Sequence, residues 1–440
     1  MRGEALRDTM GGRARARGLR LAAALVLAGA VSLAAAEASA FAVVVTLPSG
    51  EAVGVLPLAG AAPANRAARP QGAATASTNL RYHGGAVMPS NTNYAFYWAP
   101  PSAPAYPAGY QSGLNTFFED LAHDSGGDQN VESVSAQYGD SAGKFANYDS
   151  HFGGAIVDTN PYPARVCKAA PICLTDAQIK KEISSYVKAH GLAQDLTHEY
   201  FLLTPPGVES CFERAGFECS AGSESPLYCA YHGFIKATGG PIIYANDPYV
   251  TGIEGCDSGE HPNGKPSDGA IDGGLSHEQN ESITDPQLNA WFDAEGFEEA
   301  DKCNSFNQKL EYGTPLGTAP DGARYNQVIN GDLYWYQQEW GNEGSKCKQR
   351  AGSGPTVTAV SPKRGPAAGG TTVTISGSGF ALGSSTTIKF GAQASSSVNC
   401  TSSTRCTAVS PKHAAGTVDV RATVSGIVSP RATADQFKYV

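Results

Sequence analysis

The chain has 440 residues, 41% hydrophobic and 17% charged, with ten cysteines and a formal net charge of −9. That length exceeds one average domain and predicts two or three units. The charge is divided: residues 1–40 hold 6 basic and 3 acidic side chains, residues 41–353 hold 18 and 36, and residues 354–440 hold 8 and 2. An acidic body of this kind argues against nucleic acid as its partner and suits bound cations.

Six arginines between Arg2 and Arg20 precede an uncharged run from Leu21 to Ala36 and the small residues Ala38-Ser39-Ala40. This order of basic, apolar and small residues predicts a secretory signal peptide over residues 1–40, cleaved after Ala40. No other stretch approaches the roughly 18 to 20 apolar residues that a membrane span requires, so no span is expected. An exported chain can oxidise its thiols, and ten is an even number. Spacing does not fix connectivity, but proximity in sequence suggests Cys167 with Cys173, Cys211 with Cys219 and Cys400 with Cys406, which leaves Cys229 with Cys256 and Cys303 with Cys347.

Phe41 to Leu58 alternates as one or two strands would, and Ala59 to Asn79 is an Ala/Pro/Gly-rich stretch without periodicity that reads as a linker. The ordered body is therefore placed at residues 80–350. An aromatic strand is expected over Asn93 to Pro100, and Leu114, Phe117, Phe118 and Leu121 are spaced as one face of a helix. A second helix has Thr175 or Asp176 as cap, Ile179, Ile183, Tyr186 and Val187 on one face, and Gly191 as stop. Short apolar runs at Tyr200 to Leu203, Tyr228 to Tyr231 and Pro241 to Ala245 complete an alternation of strands and helices, so a mixed α/β body is expected.

A third helix is expected from Pro266, with Ser267 or Asp268 as cap, ending before Pro286. It contains His277-Glu278-Gln279-Asn280-Glu281. Residues four apart project from one face of a helix, so His277 and Glu281 can present two ligands to one ion, with Glu278 beside them as general base. This resembles the H-E-x-x-H helix of zincin metallopeptidases, with Glu281 in place of the second histidine. A carboxylate there is an acceptable Zn²⁺ ligand, but it also favours harder ions such as Ca²⁺ or Mn²⁺. The resemblance implies a third ligand about twenty residues downstream, where Glu298 and Asp301 lie 17 and 20 residues after Glu281. Asp285 extends the same helix face as an alternative ligand or support, and His83, in a tight turn before Gly84 and Gly85, is a further candidate. His232 and His261 are expected on or near loops, where a ligand or substrate contact is open to them and a solvated side chain is the default. There is no G-x-S-x-G elbow, and an even set of cysteines leaves no free thiol nucleophile.

"YHGGAVM" at Tyr82 to Met88, then H-E-x-x-E-x-x-T-D-P-x-x-N-A-W-F-D from His277 and G-x-E-x-x-D-x-C from Gly296, resemble the phosphate-induced (exordium-like) secreted family across residues 80–350. Asp285 stands where many members have Asn, and Ala86 where they have Pro. That resemblance implies an extracellular protein associated with cell walls, and no particular reaction.

From Gly354 the composition changes to short Val/Thr/Ile runs separated by Gly, Pro and Ser, about six strands with turn signals every 8 to 12 residues. "VSPKRGPAAGGTTVTISGSGF" and the closing "ADQFKYV" resemble an IPT/TIG immunoglobulin-like domain over residues 354–440. Asn399 and Cys400 are expected on a loop before the strand at Cys406. The whole predicts a secreted chain: an α/β, α+β or zincin-like body followed by an all-β sandwich. Two readings of function follow. One is a metal-dependent hydrolase, most simply a peptidase acting on extracellular peptides. The other is a non-catalytic protein that binds a cell-wall or surface polymer and uses its acidic cluster structurally or to hold Ca²⁺.

Overall fold

The computed structural model describes residues 44–47, 50–59, 79–214, 216, 218–305, 309–383, 385–424 and 426–440. The expected signal peptide and nearly all of the expected linker lie outside these residues. The chain is rich in β-structure with few helices.

The body is built on one large mixed sheet. Its strands are β1 (Val45–Thr46), β2 (Ala52–Pro57), β3 (Asn91–Trp98), β4 (Ser150–Asp158), β5 (Ile172–Thr175), β6 (His198–Leu203), β7 (Val208–Cys211), β8 (Cys219–Ser220), β9 (Pro226–Ala237) and β10 (Gly240–Asp247). They run in the order β4-β3-β6-β10-β9-β8-β7-β5, with β2 joined to β9 and β1 to β2. Strands β4, β3, β6 and β10 are mutually parallel, while β9 is antiparallel to both β10 and β2. Parallel strands need cover on both faces, because neither face can be left to water. Strand β3 shows this: Phe96 and Trp98 point into one buried cluster, and Ala95 and Tyr97 into another.

Helix α2 (Asp176–Ala189) covers the first face through Ile179, Ile183 and Val187, as its spacing predicts. Thr175 is its N-cap: its backbone N–H donates to Gln178 Oε1 at 2.9 Å, and Gly191 beyond the helix takes φ +63°. Helix α1 (Tyr110–His123) covers the second face with Leu114, Phe117, Phe118 and Leu121, all fully buried. Each such side chain stabilises by roughly 1.5–3 kcal/mol.

The expected motif helix is two helices. Helix α3 (Pro266–Ala270) starts at Pro266 as expected, but its N-cap is Lys265, two residues before Ser267; Pro266 occupies the first turn, and Asp268 Oδ2 accepts the Lys265 N–H. A single wider turn, Ile271–Leu275, then leads into α4 (Ser276–Thr284). Its glycines answer to packing. A β-carbon on Gly274 would lie 2.6 Å from Ala230 Cβ of β9, and one on Gly273 would lie 2.8 Å from Val250. The helix thus presses on the sheet with its backbone, and every residue of α4 is buried.

All ten cysteines pair as proximity suggested: Cys167–Cys173, Cys211–Cys219, Cys229–Cys256, Cys303–Cys347 and Cys400–Cys406. The C-terminal unit is a sandwich of two sheets. One holds Thr356–Ser361, Thr372–Ser378, Arg405–Val409 and Val398–Ser402; the other is centred on Gly416–Val424, Gln436–Tyr439 and Thr387–Phe390. Val373, Ile375, Phe390, Val420 and Phe437 fill the space between them. Asn399 and Cys400 are not on a loop. They lie within Val398–Ser402, which pairs with Arg405–Val409, and the disulfide closes that hairpin.

Candidate metal centre

Helix α4, strand β9 and the segment Glu298–Cys303 converge on one buried cluster. His277 and Glu281 occupy one face of α4 as their spacing requires, with Nε2 and Oε1 3.1 Å apart. Asp301 brings its Oδ1 to 3.4 Å from His277 Nε2, and its backbone N–H donates to Glu281 Oε1 at 3.0 Å. Glu298 meets a residue that periodicity placed on a loop: His232, in mid-strand on β9, with Nε2 3.7 Å from Glu298 Oε1. His232 Nδ1 lies 3.7 Å from Glu281 Oε2. His232, His277, Glu278, Glu281 and Glu298 are 0% exposed and Asp301 is 1% exposed.

Two sets of side chains can each surround an ion: His277, Glu278 and Glu281, and His232, Glu281 and Glu298. Glu281 belongs to both. Ligand atoms around a tetrahedral zinc with bonds of roughly 2.0 to 2.1 Å stand about 3.3 Å apart. The 3.1 and 3.4 Å separations around His277 Nε2 fit that spacing, and the 3.7 Å from His232 Nε2 to Glu298 Oε1 is slightly wider.

A neighbouring side chain holds each ring at Nδ1. His277 Nδ1 is 3.1 Å from Gln337 Oε1, and His232 Nδ1 is 2.9 Å from Glu278 Oε2. With each proton on Nδ1, both rings present the Nε2 lone pair to the cluster, the arrangement that outer partners impose on metal-bound imidazoles. Both Nε2 atoms, Glu281 Oε2, Asp301 Oδ1 and both oxygens of Glu298 have no hydrogen-bond partner. Buried polar atoms without a hydrogen-bond partner are costly, and a cation placed among these would give each of them one.

Burial dominates the proton equilibria. It raises the carboxyl pKa values of Glu278 and Glu298 well above the usual range, with Glu281 adding repulsion at both, and it raises those of Glu281 and Asp301. It lowers His232. At His277 burial pulls the other way from Glu281 and Asp301, and the carboxylates prevail, raising it well above its ordinary value. A divalent cation would invert this balance by favouring ionised carboxylates and neutral imidazoles.

The remaining expected residues have other surroundings. Glu278, expected as an open general base, has both oxygens engaged: Oε1 accepts the backbone N–H of Leu56 at 3.2 Å and Oε2 faces His232. Asp285 Oδ1 accepts the N–H groups of Asn289 and Ala290, tying off the turn after α4, while Oδ2 stays unpaired; burial pushes its pKa up to about 7. His83 is exposed and stacks on Phe292, with Nε2 3.1 Å from the Phe292 carbonyl, so it is not brought into the buried cluster. His261 pairs with Asp257 at 2.9 Å. Behind α4, Glu132, Glu299 and Glu339 form a second buried acidic group, with Ser135 donating to Glu299 Oε2 at 2.9 Å. His232, expected on or near a loop, lies in a strand, and neither Gln337 nor this second group was among the expected residues. The one available signal was a histidine inside the apolar strand pattern of β9.

Residues 355–439 match the IPT/TIG domain family. Among solved structures, two of the plexin A4 full extracellular region, with domains 1 to 10 and domains 1 to 8, share 19% identity over 27% of this chain with a TM-score of 0.19. The matched part covers 12% and 14% of those chains, so this chain spans about an eighth of their length. Comparison with curated proteins gives no match.

Proposed function

We propose that this is an extracellular metal-dependent hydrolase, most simply a peptidase, with a C-terminal IPT/TIG domain that binds or spaces other modules. The observation that carries it is the buried set of unpaired ligand atoms on His232, His277, Glu281, Glu298 and Asp301. Two imidazoles among carboxylates favour Zn²⁺ or Mn²⁺ over Ca²⁺, which takes six to eight oxygens. When bound, the cation would supply Lewis acidity toward a carbonyl and acidify a water molecule. Glu278 would take the proton from that water, and Gln337 would keep the His277 ring in place. The zincin-like and exordium-like character of the body belongs to this proposal, as does the extracellular peptide as substrate. Five disulfides fit an extracellular-type compartment.

A second reading has its own support. The complete burial of the cluster and the engagement of both Glu278 oxygens suit a structural ion in a non-catalytic protein that binds a cell-wall polymer. Elemental analysis of protein purified without chelator or added metal, beside His277→Ala, decides whether a cation is held. Metal that disappears in the variant, with chelator-sensitive cleavage of casein or a peptide library, supports the hydrolase. Bound metal without cleavage supports the structural ion, and no metal in folded wild type ends both metal readings.

A further inference from the structure

Strand β2 lies across the metal centre. It pairs antiparallel with β9, His232 opposite Gly54 and Ala230 opposite Leu56. The approach at Gly54 is so close that a β-carbon there would lie 2.2 Å from His232 Cε1 and 2.5 Å from Glu298 Oε2. Two residues on, the Leu56 N–H occupies Glu278 Oε1, the atom a general base would use. The segment enters where the Val44 N–H donates to the Gly296 carbonyl and leaves where the Leu58 N–H donates to that of Leu227. Side chains alternate as they do for a strand read by a groove. Val53 and Val55 enter the cluster containing Phe96, Tyr228 and Tyr231, and Leu56 enters that of Cys229, Val250 and Cys256. No cysteine lies in residues 1–166, so no disulfide holds this strand, and it continues into the body only through the Ala/Pro/Gly-rich residues 59–79.

We infer that the edge of β9 above α4 is a binding groove for an extended polypeptide, and that residues 51–58 of this chain occupy it as an internal mimic of the ligand. The ligand class is an unbranched peptide strand that adds to β9 through main-chain hydrogen bonds, with glycine opposite His232 and aliphatic side chains on either side. The inference deepens the hydrolase reading and rests on it for the identity of the site. While the strand is seated, Glu278 is hydrogen-bonded and the cluster is covered. Departure of the strand frees Glu278 Oε1 and opens the cluster to a peptide from outside.

The test uses the full chain with a protease recognition sequence placed within residues 60–78. After cleavage, the strand-bearing fragment is challenged with a fluorescent peptide of residues 51–58 and exchange is followed by polarisation. Near-UV circular dichroism reports the fold and elemental analysis the metal. The expected result is exchange onto a folded body by the 51–58 peptide, and binding at least about tenfold weaker by the same peptide carrying Gly54→Val, which cannot approach His232. A fragment that stays through gel filtration without exchange identifies β2 as a permanent strand and overturns the inference; so does a body that unfolds on losing it, or equal binding of the two peptides. Absence of metal from an exchanging protein overturns the hydrolase reading while leaving the groove established.

Discussion

The backbone N–H of Leu56 donates to Glu278 Oε1 at 3.2 Å across 222 positions of sequence, and His232 Nδ1 holds the other oxygen at 2.9 Å. Glu278 is therefore a positioning group for His232 as well as the proposed base. Glu278→Gln keeps the size but offers one acceptor oxygen in place of two. Metal affinity is expected to fall by roughly 10- to 100-fold, the usual effect of losing an outer partner of a metal-bound imidazole. At saturating metal, hydrolysis should remain abolished. Competition with a metal-sensing dye reads the first effect and a peptide assay the second. Unchanged affinity would mean that His232 is not a ligand.

Gln337 performs the same service for His277. Its Oε1 lies 3.1 Å from His277 Nδ1, and its amide donates to the Ala300 carbonyl at 2.9 Å, so one side chain links both segments that carry the proposed ligands. Gln337→Leu should weaken metal binding by on the order of 10-fold or more while leaving the body folded. Dye competition checks affinity and a thermal melt checks the fold. Wild-type affinity in the variant would separate His277 from the metal.

The α4 pair was legible because a spacing of four residues has one geometric meaning on a helix, and the same holds for the Phe117 and Ile183 faces of α1 and α2. His232 was not legible. Its side chain enters the site only because the sheet order places β9 over α4, and topology of that kind leaves no local mark beyond a histidine within an apolar strand. The π-like turn at Ile271–Leu275 was hidden as well, and the reason for Gly273 and Gly274 within it is visible only in the packing on Val250 and Ala230. Glu298 and Asp301 were read as alternatives, and the fold uses them differently: Glu298 faces His232, and Asp301 faces His277.

The close approach at Gly274 makes a direct prediction. A methyl group there would lie 2.6 Å from Ala230 Cβ, so Gly274→Ala must push α4 from β9. Overpacking of this kind costs about 1–3 kcal/mol, read as a lower urea midpoint with an unchanged slope. Because His277 rides on α4 and His232 on β9, metal affinity should fall in parallel. A variant as stable as wild type would show that the two elements have room to separate.

Asp272 lies outside the ligand set and tests the electrostatics of the interior. Its Oδ2 accepts the Ser258 N–H at 2.9 Å, and burial outweighs this bond and those from the Ser258 and Tyr312 side chains to push its pKa up to about 7. A carboxyl raised on folding binds its proton more tightly in the folded state. Its contribution is therefore complete below the unfolded value near 4 and is lost as the pH rises to about 7. The loss is at most roughly 4 kcal/mol. Asp272→Asn keeps an acceptor for Ser258 but cannot ionise, so it should flatten that part of the stability profile and melt above wild type near pH 8. Parallel profiles for the two proteins between pH 4 and 8 would show that Asp272 is solvated.

The Cys303–Cys347 bridge joins positions 44 apart, and Cys303 follows Asp301 by two residues. Cross-linking a loop of that length removes denatured-state entropy worth roughly 4 kcal/mol. The double variant Cys303→Ser, Cys347→Ser should lose up to that much stability in denaturant titration. It should also lose metal affinity, because Asp301 and the Glu298 N–H that donates to its Oδ2 at 2.9 Å are held at the cluster from this end. Cys400–Cys406 spans six residues in the separate sandwich. Cys400→Ser, Cys406→Ser is therefore the control: it should lower stability of the C-terminal unit alone and leave metal affinity at the wild-type value. Equal metal loss in both double variants would show a general effect of reduction, with no specific role for the bridge beside Asp301.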